Sequence, residues 1–247
     1  MKKIGLLCII LCLASPVQAA ENRVEYRVDN ALFEGVFISP APGAPLVVMI
    51  HDWDGLGEYE IRRAHMLADQ GYAVFAADMF GKGIRPEEIS ERRRLTGELY
   101  QDRERMRRLL KGALAAAAGQ GGDLENAVAM GYCFGGTVIL ELARSGEDLK
   151  GFVSFHGGLA TPPGQDYART SGSLLILHGS ADTAVTMTEF AKLADALEQH
   201  GVAHEMITYG GAPHAFSVFG TSRYREDADR KSWQRFLDYL GQTLTGR

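Results

Sequence analysis

The stretch Ala127-Val128-Ala129-Met130-Gly131-Tyr132-Cys133-Phe134-Gly135-Gly136-Thr137-Val138-Ile139-Leu140-Glu141-Leu142-Ala143-Arg144 decides the fold. An apolar run of strand length, Ala127–Cys133, enters a tight glycine-flanked turn and leaves as an apolar helical pattern over Gly136–Ser145. Strand, elbow and helix in that order match the pattern Gly-x-nucleophile-x-Gly, with cysteine in the place usually held by serine. Such a turn imposes unfavourable backbone angles on the nucleophile, and only small residues at 131 and 135 let strand and helix approach. The helix N-terminus behind the thiol favours a thiolate and offers an N–H to a developing oxyanion.

On either side of the elbow, strand and helix signals alternate. Val24–Val28 and Ala31–Ile38 predict an early hairpin, and Leu46–His51, Ala73–Met79, Gly151–His156, Ser173–His178 and Glu205–Tyr209 predict further strands. Several of these are unbroken apolar runs, as in a parallel sheet buried on both faces. Helical stretches fall around Glu60–Gln70, Pro86–Ala118, Met187–His200 and Ala228–Leu244. The expectation is one α/β domain over residues 21–247, a mostly parallel sheet covered by helices on both faces, with ligands at the carboxyl ends of the strands. Gly119-Gln120-Gly121-Gly122 lacks the lysine and spacing of a phosphate loop and predicts a turn.

Two later strand ends carry polar residues suited to chemistry. Gly179-Ser180-Ala181-Asp182-Thr183 follows one, and Gly210-Gly211-Ala212-Pro213-His214-Ala215-Phe216 follows the other. Cys133, Asp182 and His214 thus stand in the chain order nucleophile, acid, histidine of α/β-hydrolases. His51, His156 and His178 also end strands, but no metal-binding spacing links them, and loop-closing hydrogen bonds are expected of them instead. No metal and no cofactor are called for.

Taken together these residues resemble the dienelactone hydrolase family of the α/β-hydrolase superfamily, over roughly residues 25–245. The resemblance is carried by His51-Asp52-Trp53-Asp54-Gly55-Leu56, Gly71-Tyr72-Ala73-Val74-Phe75-Ala76-Ala77-Asp78-Met79-Phe80-Gly81, Gly131–Gly136, His178–Asp182 and Tyr209–Phe216. It implies a Cys133–His214–Asp182 triad and an oxyanion hole from the backbone N–H groups of Phe134 and Trp53. Family members usually carry a glutamate where Asp52 stands, a carboxylate that modulates the resting thiol. Those acting on dienelactone bind its carboxylate with two arginines. Here Lys82 or Arg85 is offered at the first place and Val218 at the second, so the resemblance implies a less polar substrate: a neutral aryl or short-chain ester, or a neutral lactone, with aryl phosphotriesters as a side reaction. Trp53 and Phe134 are candidate pocket walls. Amides should be poor substrates, because a thiolate leaves more readily than an amine.

Composition and the N-terminus set the remaining bounds. With 46% hydrophobic and 23% charged residues in 247, the chain has material for a full core and is neither disordered nor fibrous. A net charge of −5 with no basic arm excludes a sequence-independent nucleic-acid binder. Arginine-rich Glu87–Lys111 alternates signs, as on a solvated helix face. Lys2-Lys3, apolar Ile4–Ala14 and Ser15-Pro16-Val17-Gln18-Ala19-Ala20 read as a cleaved export signal over residues 1–20. The apolar run is too short for a bilayer that requires about 20 residues. A periplasmic or secreted protein, monomer or homodimer, is expected. Cleavage removes Cys8 and Cys12 and leaves Cys133 as the lone thiol, without an internal disulfide. Two other readings compete with an ester hydrolase: an inactive periplasmic ligand-binding module on the same fold, and a thiol redox protein, for which the mature chain supplies no resolving cysteine.

Overall fold

The computed structural model describes residues 19–244, so the expected leader lies outside the described residues except for Ala19 and Ala20. Strands β1 (Ala20–Val28) and β2 (Ala31–Ser39) form an antiparallel hairpin, Val28 opposite Ala31. Asp29 and Asn30 between them both take positive φ, 48° and 65°, the two-residue turn whose twist suits a hairpin.

Strands β3 (Leu46–Ile50), β4 (Ala73–Ala77), β5 (Ala127–Tyr132), β6 (Gly151–Phe155), β7 (Ser173–Gly179) and β8 (His204–Tyr209) complete an eight-stranded sheet. Its order is β1-β2-β4-β3-β5-β6-β7-β8, parallel from β4 to β8 and antiparallel at the β1–β2–β4 edge. The mostly parallel sheet expected from the apolar runs is therefore the one observed.

Because side chains alternate across a strand, each strand feeds both faces. Val48, Ile50, Phe75 and Ala129 join one apolar core with α2 (Ile89–Gln101), α3 (Arg103–Gly119), α4 (Phe134–Ser145) and α5 (Met187–Gln199). Val47, Met49, Val74 and Met130 join the other with α1 (Glu58–Ala68) and α6 (Glu226–Thr243).

Two expectations are corrected. The single helix read over Pro86–Ala118 is two helices, because Asp102 (φ −111°, ψ 78°) leaves helical geometry and its carboxylate caps α3 by accepting the Arg105 N–H at 2.8 Å. Strands β3 and β4 stop at Ile50 and Ala77 rather than at His51 and Met79. There the His51 ring ties the two strand ends together, accepting the Met79 N–H at 3.1 Å.

Candidate active site

Four strand ends converge. Helix α4 starts at Phe134, immediately after β5, so Cys133 is the residue on which the chain turns, with φ 50° and ψ −109°. A Cβ on Gly131 would strike the Gly135 carbonyl, and one on Gly135 would strike the Ile50 carbonyl oxygen on neighbouring β3. Glycine at both places is thus what allows the elbow, as its sequence pattern requires. The Cys133 N–H donates to Phe155 O on β6 at 3.0 Å, which fixes the turn against the sheet.

Past β7, Asp182 accepts the backbone N–H groups of Ala184 (2.8 Å) and Val185 (2.9 Å) on one carboxylate oxygen. Its other oxygen lies 2.7 Å from His214 Nδ1, and His214 Nε2 lies 3.1 Å from Cys133 Sγ. Burial opposes ionisation of Asp182, but the bonds from His214, Val185 and Ala184 outweigh it and hold the carboxyl below the usual range. The structure therefore brings Cys133, His214 and Asp182 into one hydrogen-bonded line.

The loop after β3 supplies the rest. Asp52 is buried against the thiol, and its Oδ1 accepts the Trp53 N–H at 2.5 Å. Burial first, and then the neighbouring Asp54 charge, push the Asp52 carboxyl up to about 6 against the lowering pull of the Trp53 N–H and the thiol. The Cys133 thiol itself is pushed well above its ordinary value by burial and by Asp52, which together exceed the favourable contact with the Phe134 N–H. The readily ionised thiol expected at a helix N-terminus is not what this resting geometry produces.

Glu60, which sequence reasoning missed, holds this loop from below. It is 2% exposed and accepts the Asp52 N–H at 3.2 Å and the Gly57 N–H at 2.9 Å. Burial pushes its carboxyl up to about 8 despite those two bonds. The only hint in the sequence is a glutamate three residues after Gly57 at a helix start.

A cleft of about 290 Å³ opens beside Asp52, lined also by Asp54, Leu56, Glu60, Arg85, Arg92 and Val218. Arg85 lines it with its Nε bonded to Leu56 O. Lys82 does not reach it: that ammonium pairs with Glu25 and, at 3.7 Å, with Glu34 on the hairpin. Phe134 is likewise no pocket wall, because its ring is fully buried against His51, Phe80 and Tyr100, with centroids 5.8, 5.4 and 5.8 Å away. Trp53 remains half-buried, with the Arg92 guanidinium 5.5 Å over its ring. Arg92, read as part of a solvated face, in fact turns to the cleft and lies 3.8 Å from Asp54.

The three strand-end histidines are engaged in loop bonds. His51 Nδ1 lies 2.5 Å from Asp52 O, His178 Nε2 3.1 Å from Val185 O, and His156 Nε2 2.8 Å from Ser217 Oγ. No cluster able to hold a metal ion occurs among the described residues.

The sequence profile of the dienelactone hydrolase family matches residues 33–244. A relative from Synechocystis sp., named a carboxymethylenebutenolidase, is 26% identical over 212 residues, 77% of this chain and 83% of its own. The crystal structure of a dienelactone hydrolase-like promiscuous phosphotriesterase from metagenomic libraries superposes with a TM-score of 0.86 at 29% identity, covering 92% of this chain and all of that one. A cold-adapted esterase from an Arctic intertidal metagenomic library shares the fold at 19% identity, TM-score 0.70, over 94% of this chain and 97% of its own. With that profile spanning both the elbow and the histidine loop, the chain belongs to the dienelactone hydrolase family and is a hydrolase.

Proposed function

We propose that this protein is an exported esterase or lactonase that acts through an acyl-enzyme on Cys133. The observation that carries this reading is the unbroken line Cys133 Sγ, His214 Nε2, His214 Nδ1, Asp182 Oδ2, at 3.1 and 2.7 Å. His214, with its Nδ1 proton held by Asp182, takes the thiol proton on Nε2, and the sulfur attacks the ester carbonyl. The oxyanion is received by the N–H groups of Phe134 and Trp53, the second becoming available as the Asp52 carboxyl turns away from it. His214 then returns the proton to the leaving alkoxide. In the second half it takes a proton from water, whose oxygen attacks the thioester, releasing the acid and restoring the thiol.

Neutral aryl or short-chain esters and neutral lactones suit the cleft better than anionic lactones. Lys82 is committed to Glu25, and Val218 brings an apolar side chain to the cleft where a second arginine would clamp a carboxylate. An uncharged aryl phosphotriester is a further candidate, supported by the activity that names the metagenomic relative. Export of a single domain is part of the same reading; no helix among the described residues is long and apolar enough to cross a membrane.

The test is turnover of p-nitrophenyl esters, neutral and anionic lactones and an aryl phosphotriester by wild type and Cys133→Ala. The variant should lose activity by about a thousandfold or more, and neutral lactones should outrun anionic ones. Equal turnover by the variant would dismiss the nucleophile, and faster anionic turnover would dismiss the substrate class. N-terminal sequencing of protein released from the periplasm should begin near residue 21.

A further inference from the structure

Helix α1 carries two buried ionisable side chains less than one turn apart, and each reaches a different loop of the site. Glu60 holds the loop of Asp52 and Trp53, as described above. Arg63, 1% exposed, turns instead to the segment that follows His214. Its Nη2 donates to the Ser217 carbonyl oxygen at 2.9 Å and pairs with Asp229 on α6, while its Nε lies 3.3 Å from the Tyr59 hydroxyl. The guanidinium centre sits 4.1 Å over the Phe219 ring and 4.8 Å over that of Trp233, a desolvated aromatic cage for a permanent cation.

Ser217 is held by its side chain as well. Its Oγ lies 2.8 Å from His156 Nε2 and 3.0 Å from the Tyr59 hydroxyl. The His156 and His214 rings in turn pack edge to face with centroids 5.4 Å apart, so the anchor also packs beside the catalytic imidazole. Between His214 and this anchor lies Ala215, with φ 61°, a conformation that a non-glycine residue keeps only when its surroundings impose it. Ser217 bonded at both carbonyl and hydroxyl is such an imposition. Arg63 does not line the cleft beside Asp52, so it has no direct hold on a substrate there.

We propose that Arg63 is a positioning residue: acting through Ser217, it holds the strained 214–217 segment so that His214 Nε2 meets the Cys133 thiol. The proposal rests on the reading of Cys133, His214 and Asp182 as the triad. It makes α1 the common mount of the oxyanion loop and the histidine loop.

The test compares wild type, Arg63→Lys, Arg63→Met/Asp229→Leu and His214→Ala in p-nitrophenyl acetate turnover and in the pH profile of Cys133 alkylation by iodoacetamide. Arg63→Lys keeps a cation, but both bonds leave the single Nη2 and a lysine ammonium ends one bond short of that atom, so it cannot reach Asp229 and the Ser217 carbonyl together. It should lower kcat by about tenfold to a hundredfold with KM within about twofold of wild type, the cost of a slightly misplaced group. Its alkylation profile should move toward that of His214→Ala. A folded Arg63→Lys protein with wild-type kcat and alkylation profile, and only a lower melting temperature, would overturn the proposal. Should that variant not fold, the double variant Arg63→Met/Asp229→Leu removes the bond to the Ser217 carbonyl without leaving an unpaired buried charge: a several-fold loss of kcat with unchanged KM supports the proposal, and an unchanged kcat overturns it. Full turnover by His214→Ala would instead dismiss the triad on which the proposal stands, whatever the Arg63 variants do.

Discussion

Asp52 sets the state of two groups at once, with one carboxylate oxygen on the Trp53 N–H and the carboxyl against the thiol. Removing its charge should let Cys133 ionise more readily. Asp52→Asn is expected to raise iodoacetamide alkylation at pH 8 by about tenfold, since a tenfold change in thiolate corresponds to one pH unit; an unchanged rate would separate the carboxylate from the thiol. Glu60 makes a different prediction. Its folded carboxyl, at about 8, binds a proton more tightly than in the unfolded chain, where glutamate titrates near 4.5. Over that window the folded state holds more protons, so stability falls as pH rises, and the loss is complete above the folded value. Chemical denaturation at pH 5 and pH 8 should show Glu60→Gln losing less stability than wild type across that interval, by on the order of a few kcal/mol. Cys133, Asp182 and His214 could be read in the sequence because each follows a strand and is set among glycines, a local signal. Glu60 and Arg63 could not: in Glu58-Tyr59-Glu60-Ile61-Arg62-Arg63 they look like any charged helix face, and only packing of α1 under two loops buries them.

Among the elements, the α2–α3 joint shows where periodicity misleads. Apolar spacing resumes in phase across the polar stretch 101–105, with Met106 seven residues after Leu99, so the sequence predicts one helix where the structure has two. The cap is local chemistry and predicts a local effect. Asp102→Ala should cost about 1 kcal/mol, lowering the melting temperature by about 2–4 °C with KM and kcat retained; a loss of turnover would show that the joint also shapes the cleft. In the first turn of α2, Arg92 stacks on Trp53 and lines the cleft while Arg93 and Arg94 face solvent. The strands were more legible than the helices, because continuous apolar runs such as Leu46–Ile50 and Ala73–Ala77 have few alternatives in an α/β chain.

At the scale of the whole molecule, Cys133 is the free cysteine among the described residues, so no covalent cross-link holds the described fold together. Melting temperature should be the same with and without reductant, and a downward shift on reduction would reveal a disulfide between chains. The sheet has a further consequence that lies in time rather than in space. Strand β5 runs into Cys133 but pairs with β3, Leu46 beside Ala127, across a long interval of chain that includes β4 and three α-helices. Closing that interval costs chain entropy before any contact repays it, and Gly135 can settle against Ile50 O only once it is closed. A partly assembled chain therefore has a cysteine but no elbow, and its thiol is an ordinary solvent-exposed one. Cys133 thus serves as a built-in clock of assembly: pulsed alkylation during refolding marks the moment when the two distant strands meet.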